Sequence, residues 1–335
     1  MRITRDMLLK IARDTVAQRT RADRSLVGIF LHGSLLEDEF LLGGTADIDL
    51  FIIHLDTVTQ PREIVHLTDE VHLDIAHYSA ASFRQTRALR VDPWLGPTLK
   101  DCRALYDPQH LVDFTQASVR GQFERSDFIF ERTRRQIERA RQIWQNFHEH
   151  PLEPGPAEVR LYLKALENAA NAVAELSGPP LTERRFLQRY AGKGAAAGQP
   201  GLALGLAGLL GAGIVQAEEV RDFLPAWEEA YRSLPPDGAP IRLHPARLSY
   251  YRRGIESLLD SDQPQASLWP LLRTWTLAVE AMPDNQAARQ AWQSGLLALG
   301  LAGPAFMERI DGLDAYLDLV EETIERWARA NGAYS

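Results

Sequence analysis

The sequence predicts an α/β domain, a small mixed sheet with flanking helices, followed by an all-α helical bundle. Three observations predict it. Alternating or continuous apolar runs rich in Val and Ile fill Leu26 to Leu31, Ile48 to Ile53 and Val71 to Ile75, the composition of strands. From Leu111 onward the apolar positions recur at helical spacing instead. No segment repeats at a fixed period, which favours a bundle over a solenoid. The domains are placed at 1–118 and 119–335, each long enough to bury its own core.

Taken in order, Met7, Leu8, Ile11, Ala12 and Val16 define an amphipathic helix opened by Thr4 or Asp6 and ending near Arg21. Leu26 to Leu31 reads as a buried strand, Gly33-Ser34 as a turn opening a short helix, and Gly43-Gly44-Thr45 as a flexible loop. The next strand carries Asp47 and Asp49. Side chains two apart on a strand share a face, so both carboxylates point one way and Ile48, Leu50 and Ile52 the other. Asp is depleted in strands and like charges side by side repel, so the pair calls for a cation. EIVHL and EVHLDIAHYS, separated by Thr68-Asp69-Glu70, form a hairpin that places Asp74 on a strand able to lie beside the first two acids. Ser79 to Leu89 reads as a helix capped by Ser79 or Ser82, followed by a Pro-punctuated connector. His54, His66, His72 and His77 crowd the same region. A metal centre of His72, Asp74 and His77 is the competing idea, and strand parity opposes it by putting His77 on the other face.

In the second domain, helices are expected over Phe123 to Phe147, Val159 to Leu176, Glu218 to Leu234, Pro245 to Leu259, Ser267 to Met282, Gln286 to Leu299 and Leu313 to Ala330. The apolar window Gly201 to Val215 is too short for a span of roughly 20 residues and reads as buried helix or loop.

Apolar residues make up 45% and charged residues 24%, as in ordinary globular proteins. The net charge of −8 divides evenly, −4 on residues 1–119 and −4 on 120–335, so neither domain is a basic platform for nucleic acid. A small acceptor, cationic in character, fits that balance better. A lone cysteine, Cys102, excludes an intrachain disulfide and a Cys-based zinc cluster. With no signal-like apolar core near the start, a cytoplasmic location is expected, and no membrane partner.

Gly-Ser, a dozen residues, then Asp-x-Asp between apolar neighbours resembles the signature of the DNA polymerase β-like nucleotidyltransferase superfamily. The resemblance implies attack of an acceptor oxygen on the α-phosphate of a nucleoside triphosphate, ATP foremost, with pyrophosphate leaving. It implies two Mg²⁺ ions roughly 3.5 to 4 Å apart. Asp47 and Asp49 would bridge both, Asp74 would bind the one that activates the acceptor, and Gly33 and Ser34 would hold the terminal phosphates at a helix N-terminus.

Asp92, Trp94, Tyr106 and Asp107 make the chain similar to the kanamycin-type aminoglycoside nucleotidyltransferases. Their second domain is helical, shapes the acceptor pocket and offers a Glu as general base. By distance from Tyr-Asp that residue is Glu138, with Glu131 two turns earlier. The expected substrate is therefore an aminoglycoside-like small molecule. Two alternatives stand beside it: modification of a partner protein, as antitoxins of the superfamily do, and nucleotide binding without turnover. Arg134, Arg135, Arg139 and Arg141 could include a phosphate ligand. Arg141 and His148 fit the loose motif of helical ribonuclease toxins, which is too unspecific to weigh. The oligomeric state is open, with a homodimer as one expectation.

Overall fold

The computed structural model describes residues 3–149, 154–235 and 238–333. The chain divides into two units, Met1–Phe128 and Ile129–Ser335. The division falls beyond residue 118 because Val119 and Phe123 are buried in the core of the first unit.

The first unit opens with helix α1 (Arg5–Ala22), whose N-cap Thr4 accepts a hydrogen bond from the Met7 amide and whose Leu8, Ala12 and Val16 are buried. Strands β1 (Leu26–His32), β2 (Ala46–His54), β3 (Arg62–His66) and β4 (Val71–Ser79) follow. Helices α2 (Thr86–Arg90) and α3 (Leu95–Lys100), strand β5 (Arg103–Tyr106) and helix α4 (Leu111–Arg120) complete the unit. The sheet order is β3-β4-β2-β1-β5. β2 and β4 run parallel, and every other pairing is antiparallel. The chain therefore leaves β2 for the edge of the sheet, forms β3, and returns through the Thr68 turn into β4. Thr68 Oγ1 accepts from the Glu70 and Val71 amides and fixes that turn.

The two faces of the sheet bury different clusters. Ile48, Leu50, Ile52, Leu73 and Ile75 pack with Leu8, Ala12 and Val16 of α1. Phe30 and Ile53 of the opposite face pack with Phe83, Leu99, Val112 and Phe123. Along this second face Phe30, Phe51 and Tyr78 stack across three strands, with ring centroids 4.9 and 5.7 Å apart. Cys102 is buried here, its thiol pushed up to about 12 by desolvation, so it is no nucleophile.

Several expected elements take a different form. Ser34–Leu36 is a single 3-10 turn rather than a short helix. Ser79 caps a 3-10 turn, Ala80–Phe83, rather than a continuous helix, accepting from the Ala81 amide. Trp94 is 37% exposed and lies at the start of α3, and Asp92 accepts from the Trp94 and Leu95 amides. Asp107 likewise accepts from the Asp113 amide in the first turn of α4. These two acids of the aminoglycoside-type resemblance therefore serve as helix caps.

The second unit takes up helix α5 (Ser126–Glu149) from its fourth residue. It continues through α6 (Pro156–Ala174), α7 (Phe186–Ala196), α8 (Gly201–Leu209), α9 (Ala217–Arg232), α10 (Leu248–Leu259), α11 (Leu268–Glu280), α12 (Gln286–Ala298) and α13 (Ala305–Ala330). Pro156 starts α6 where no amide donor is needed. Alanines at 165, 169, 170, 172 and 174 are fully buried, so α6 lies inside the bundle and lets its neighbours approach closely. Two of the four buried indoles find a threonine hydroxyl: Trp227 Nε1 donates to Thr274 Oγ1 at 2.8 Å and Trp292 Nε1 to Thr276 Oγ1 at 3.1 Å. Among the described residues, no helix is long and apolar enough to cross a membrane.

Candidate functional site

Three strand ends meet at one end of the sheet. β2 and β4 start there side by side, in the register Asp47 to His72 and Asp49 to Asp74. β1 ends there, with His32 opposite Asp49. Parity then puts Asp47, Asp49, His72, Asp74 and His32 on the face that carries Phe30 and Phe51. The structure brings the three predicted acids together: each offers a carboxylate oxygen within 4.8 Å of the others. Asp47 is 8% and Asp74 3% exposed. Uncompensated carboxylates so placed are costly, and this arrangement persists only with cationic charge close by.

Gly33 closes the site from the β1 side. Its φ is +86°, and a Cβ built there would stand 1.9 Å from Asp49 Oδ2. Only glycine lets the turn pass this close to the acid. Ser34 follows on the 3-10 turn, its hydroxyl donating to the Phe40 carbonyl at 3.5 Å. Gly33→Ala is therefore expected to lower stability by about 1–3 kcal/mol, from strain at positive φ and displacement of Asp49. A urea midpoint unchanged from wild type would contradict this placement.

Three further side chains neighbour the acids, of which Arg62 and His32 went unread in the sequence and His72 was placed on the face of Asp74. Arg62 grips Asp74 with both arms of its guanidinium, Nε to Oδ1 at 2.5 Å and Nη2 to Oδ2 at 2.6 Å. His72, 1% exposed, stands beside Asp47 in the β2–β4 register. His32 lies next to Gly33, and its Nδ1 is buried with no protein partner among the described residues. Burial holds the His32 imidazole below its usual range, and the negative charges of Asp101 and Glu37 offset this only in part. The residue is neutral near pH 7.

His77 lies on the opposite face, apart from Asp74. Its Nδ1 sits 2.9 Å from His54 Nε2 and its Nε2 3.4 Å from Glu63, which Arg19 also pairs at 2.7 Å. Burial lowers its pKa as well; Glu63 opposes the shift and His54 adds to it. For both His32 and His77 the unfolded chain, titrating near 6.5, takes up protons that the folded chain refuses. Their contribution to stability is thus complete above about pH 6.5 and declines as the pH falls below it. The urea midpoint is expected to drop from about pH 7.5 to about pH 5.5, and His77→Gln to flatten that drop. A midpoint that rises on acidification would contradict the assignment.

Glu138 belongs to the second unit. Its side chain is 63% exposed and pairs with Arg134 at 3.3 Å one helical turn away; Glu131 pairs with Arg135 at 2.5 Å. Glu138 also lines a cavity of about 390 Å³ with Phe130, Ile137, Glu321, Ile324 and Glu325. Of the arginines proposed for phosphate, Arg141 is committed elsewhere, bound to Asp314, Asp318 and Glu321 of α13. The His148 side chain lies outside the described residues.

Carboxylate oxygens from rigid strands are hard donors, the ligand type Mg²⁺ takes, and two of the three are buried. The donor set therefore fits a divalent cation. No protein-family model and no curated protein matches this chain.

Proposed function

We propose that this protein is a Mg²⁺-dependent nucleotidyltransferase that moves a nucleoside monophosphate, AMP from ATP foremost, to a hydroxyl of a small molecule. The observation that carries the reading is the convergence of Asp47, Asp49 and Asp74 beside the Gly33 turn. The acceptor oxygen forms a bond to the α-phosphorus while the bond from that phosphorus to the leaving oxygen breaks, and pyrophosphate departs. Asp47, Asp49 and Asp74 would hold the metal, which neutralises the triphosphate and stabilises charge developing at the α-phosphate. Gly33 and Ser34 would offer the turn's amides and a hydroxyl to the terminal phosphates. The acceptor proton passes to a carboxylate, for which Asp74 is the candidate in the first unit.

The net charge of −8 with no basic half supports a cationic acceptor such as an amino sugar. The test is pyrophosphate release from Mg-ATP across a panel of amino-sugar and neutral acceptors. Acceptor-dependent release that stops with chelator is expected. No release with any acceptor or any of the four triphosphates would overturn the reading.

A further inference from the structure

Arg62 enters this site from the edge of the sheet. It sits on β3, where Ile64 pairs with Asp74 and Arg62 with Ala76, so its side chain crosses the hairpin diagonally to reach Asp74. The two groups meet fork to fork, and both oxygens of Asp74 accept from the guanidinium. Asp74's side chain is 2% exposed and that of Arg62 40%, so the cation stays at the rim and the acid inside. The same positive charge is felt at Tyr78, whose phenol burial pushes up and Arg62 draws back down.

We propose that Arg62 is a resident counter-cation that competes with a divalent metal for Asp74. The ligand-free protein then takes one divalent cation, held by Asp47 and Asp49, and a second position at Asp74 opens only when the guanidinium is displaced. This rests on the acids being a cation site, as proposed above. It adds a specific claim: Arg62 weakens metal binding, although it stabilises the sheet.

The experiment is a Mn²⁺ titration of the full chain without nucleotide, with free Mn²⁺ read by electron paramagnetic resonance. Wild type, Arg62→Gln, Arg62→Lys and Asp47→Asn are compared, each also melted with and without Mn²⁺. Wild type is expected to bind one ion per chain. Arg62→Gln is expected to bind a second ion, or the first at least about tenfold more tightly, because a unit charge a few ångströms away is removed. Its melting temperature falls in chelator and recovers in Mn²⁺, a recovery that loss of a merely structural ion pair would not give. Arg62→Lys keeps the charge without the fork and falls between; it serves also if Arg62→Gln does not fold. Equal or weaker Mn²⁺ binding by both Arg62 variants, or two ions on wild type, would overturn the inference alone. Failure of wild type and both Arg62 variants to bind Mn²⁺ would overturn it together with the cation site.

Discussion

Asp47→Asn combined with Asp49→Asn is expected to abolish pyrophosphate release, by at least about 10²- to 10³-fold, without unfolding the protein. The loss follows from chemistry: an amide oxygen carries no charge, so the pair can no longer hold a divalent cation against water. The stability outcome follows from position. Both residues lie in the interior of β2, with Asp49 beside Asp74, and like charges so close on a sheet oppose folding. Asn keeps the shape and removes the repulsion, so the metal-free melting temperature should hold or rise slightly. A fall equivalent to more than about 2 kcal/mol would mean that the carboxylates act as structural hydrogen-bond acceptors. Sites that trade stability for charge show the opposite pattern.

Glu183→Gln is expected to cost about 2–3 kcal/mol, because it strips the counter-charge from a cluster of partly buried arginines. Arg242 Nη1 lies 2.7 Å and Arg273 Nε 3.1 Å from the Glu183 carboxylate, and the Tyr251 hydroxyl donates to it at 2.8 Å. Burial alone would raise its pKa; Arg242, Arg273 and Arg247 together hold it down to about 2. The sign is that of a depressed acid: the stabilisation is present above the ordinary value of 4.5 and is lost as the pH falls toward 2. Gln matches the volume but removes the negative charge that Arg242 and Arg247 face. Arg273 retains Glu167, which limits the damage. Chemical denaturation followed by helical circular dichroism measures it, and a change under about 1 kcal/mol would show the cluster to be solvated.

Much of the first unit was legible because its signals are local. The period of two in ADIDLFII and VHLDIA set the face of each acid, and the Thr68 turn set the hairpin. What the sequence hid depends on pairing. Arg62 stands one residue before the predicted strand EIVHL. Once His66 pairs with His72 and Ile64 with Asp74, residue 62 lies diagonally within reach of Asp74, so the register was the missing fact. Helix α3 was hidden because Pro97 reads as a breaker, yet it occupies the first turn, where its absent amide leaves nothing unpaired. Helix α7 went unread because glycines and alanines dilute its apolar face of Phe186, Leu187 and Tyr190. The domain boundary drifted for a related reason: Val119 and Phe123 fit a helical pattern whichever core buries them, and only packing assigns them to the first.

The central claim is that the acids beside Gly33 bind a metal–triphosphate complex, and thermal stabilisation by nucleotide tests it most directly. A ligand that binds only the folded state raises stability as RT ln(1 + [L]/Kd), about 2.7 kcal/mol at a hundredfold excess over Kd. The melting temperature of the wild type should rise with one triphosphate in Mg²⁺, ATP foremost. The rise should vanish with chelator and in the Asp47→Asn, Asp49→Asn variant. A rise that persists in that variant, or no rise with any of the four triphosphates, would contradict it.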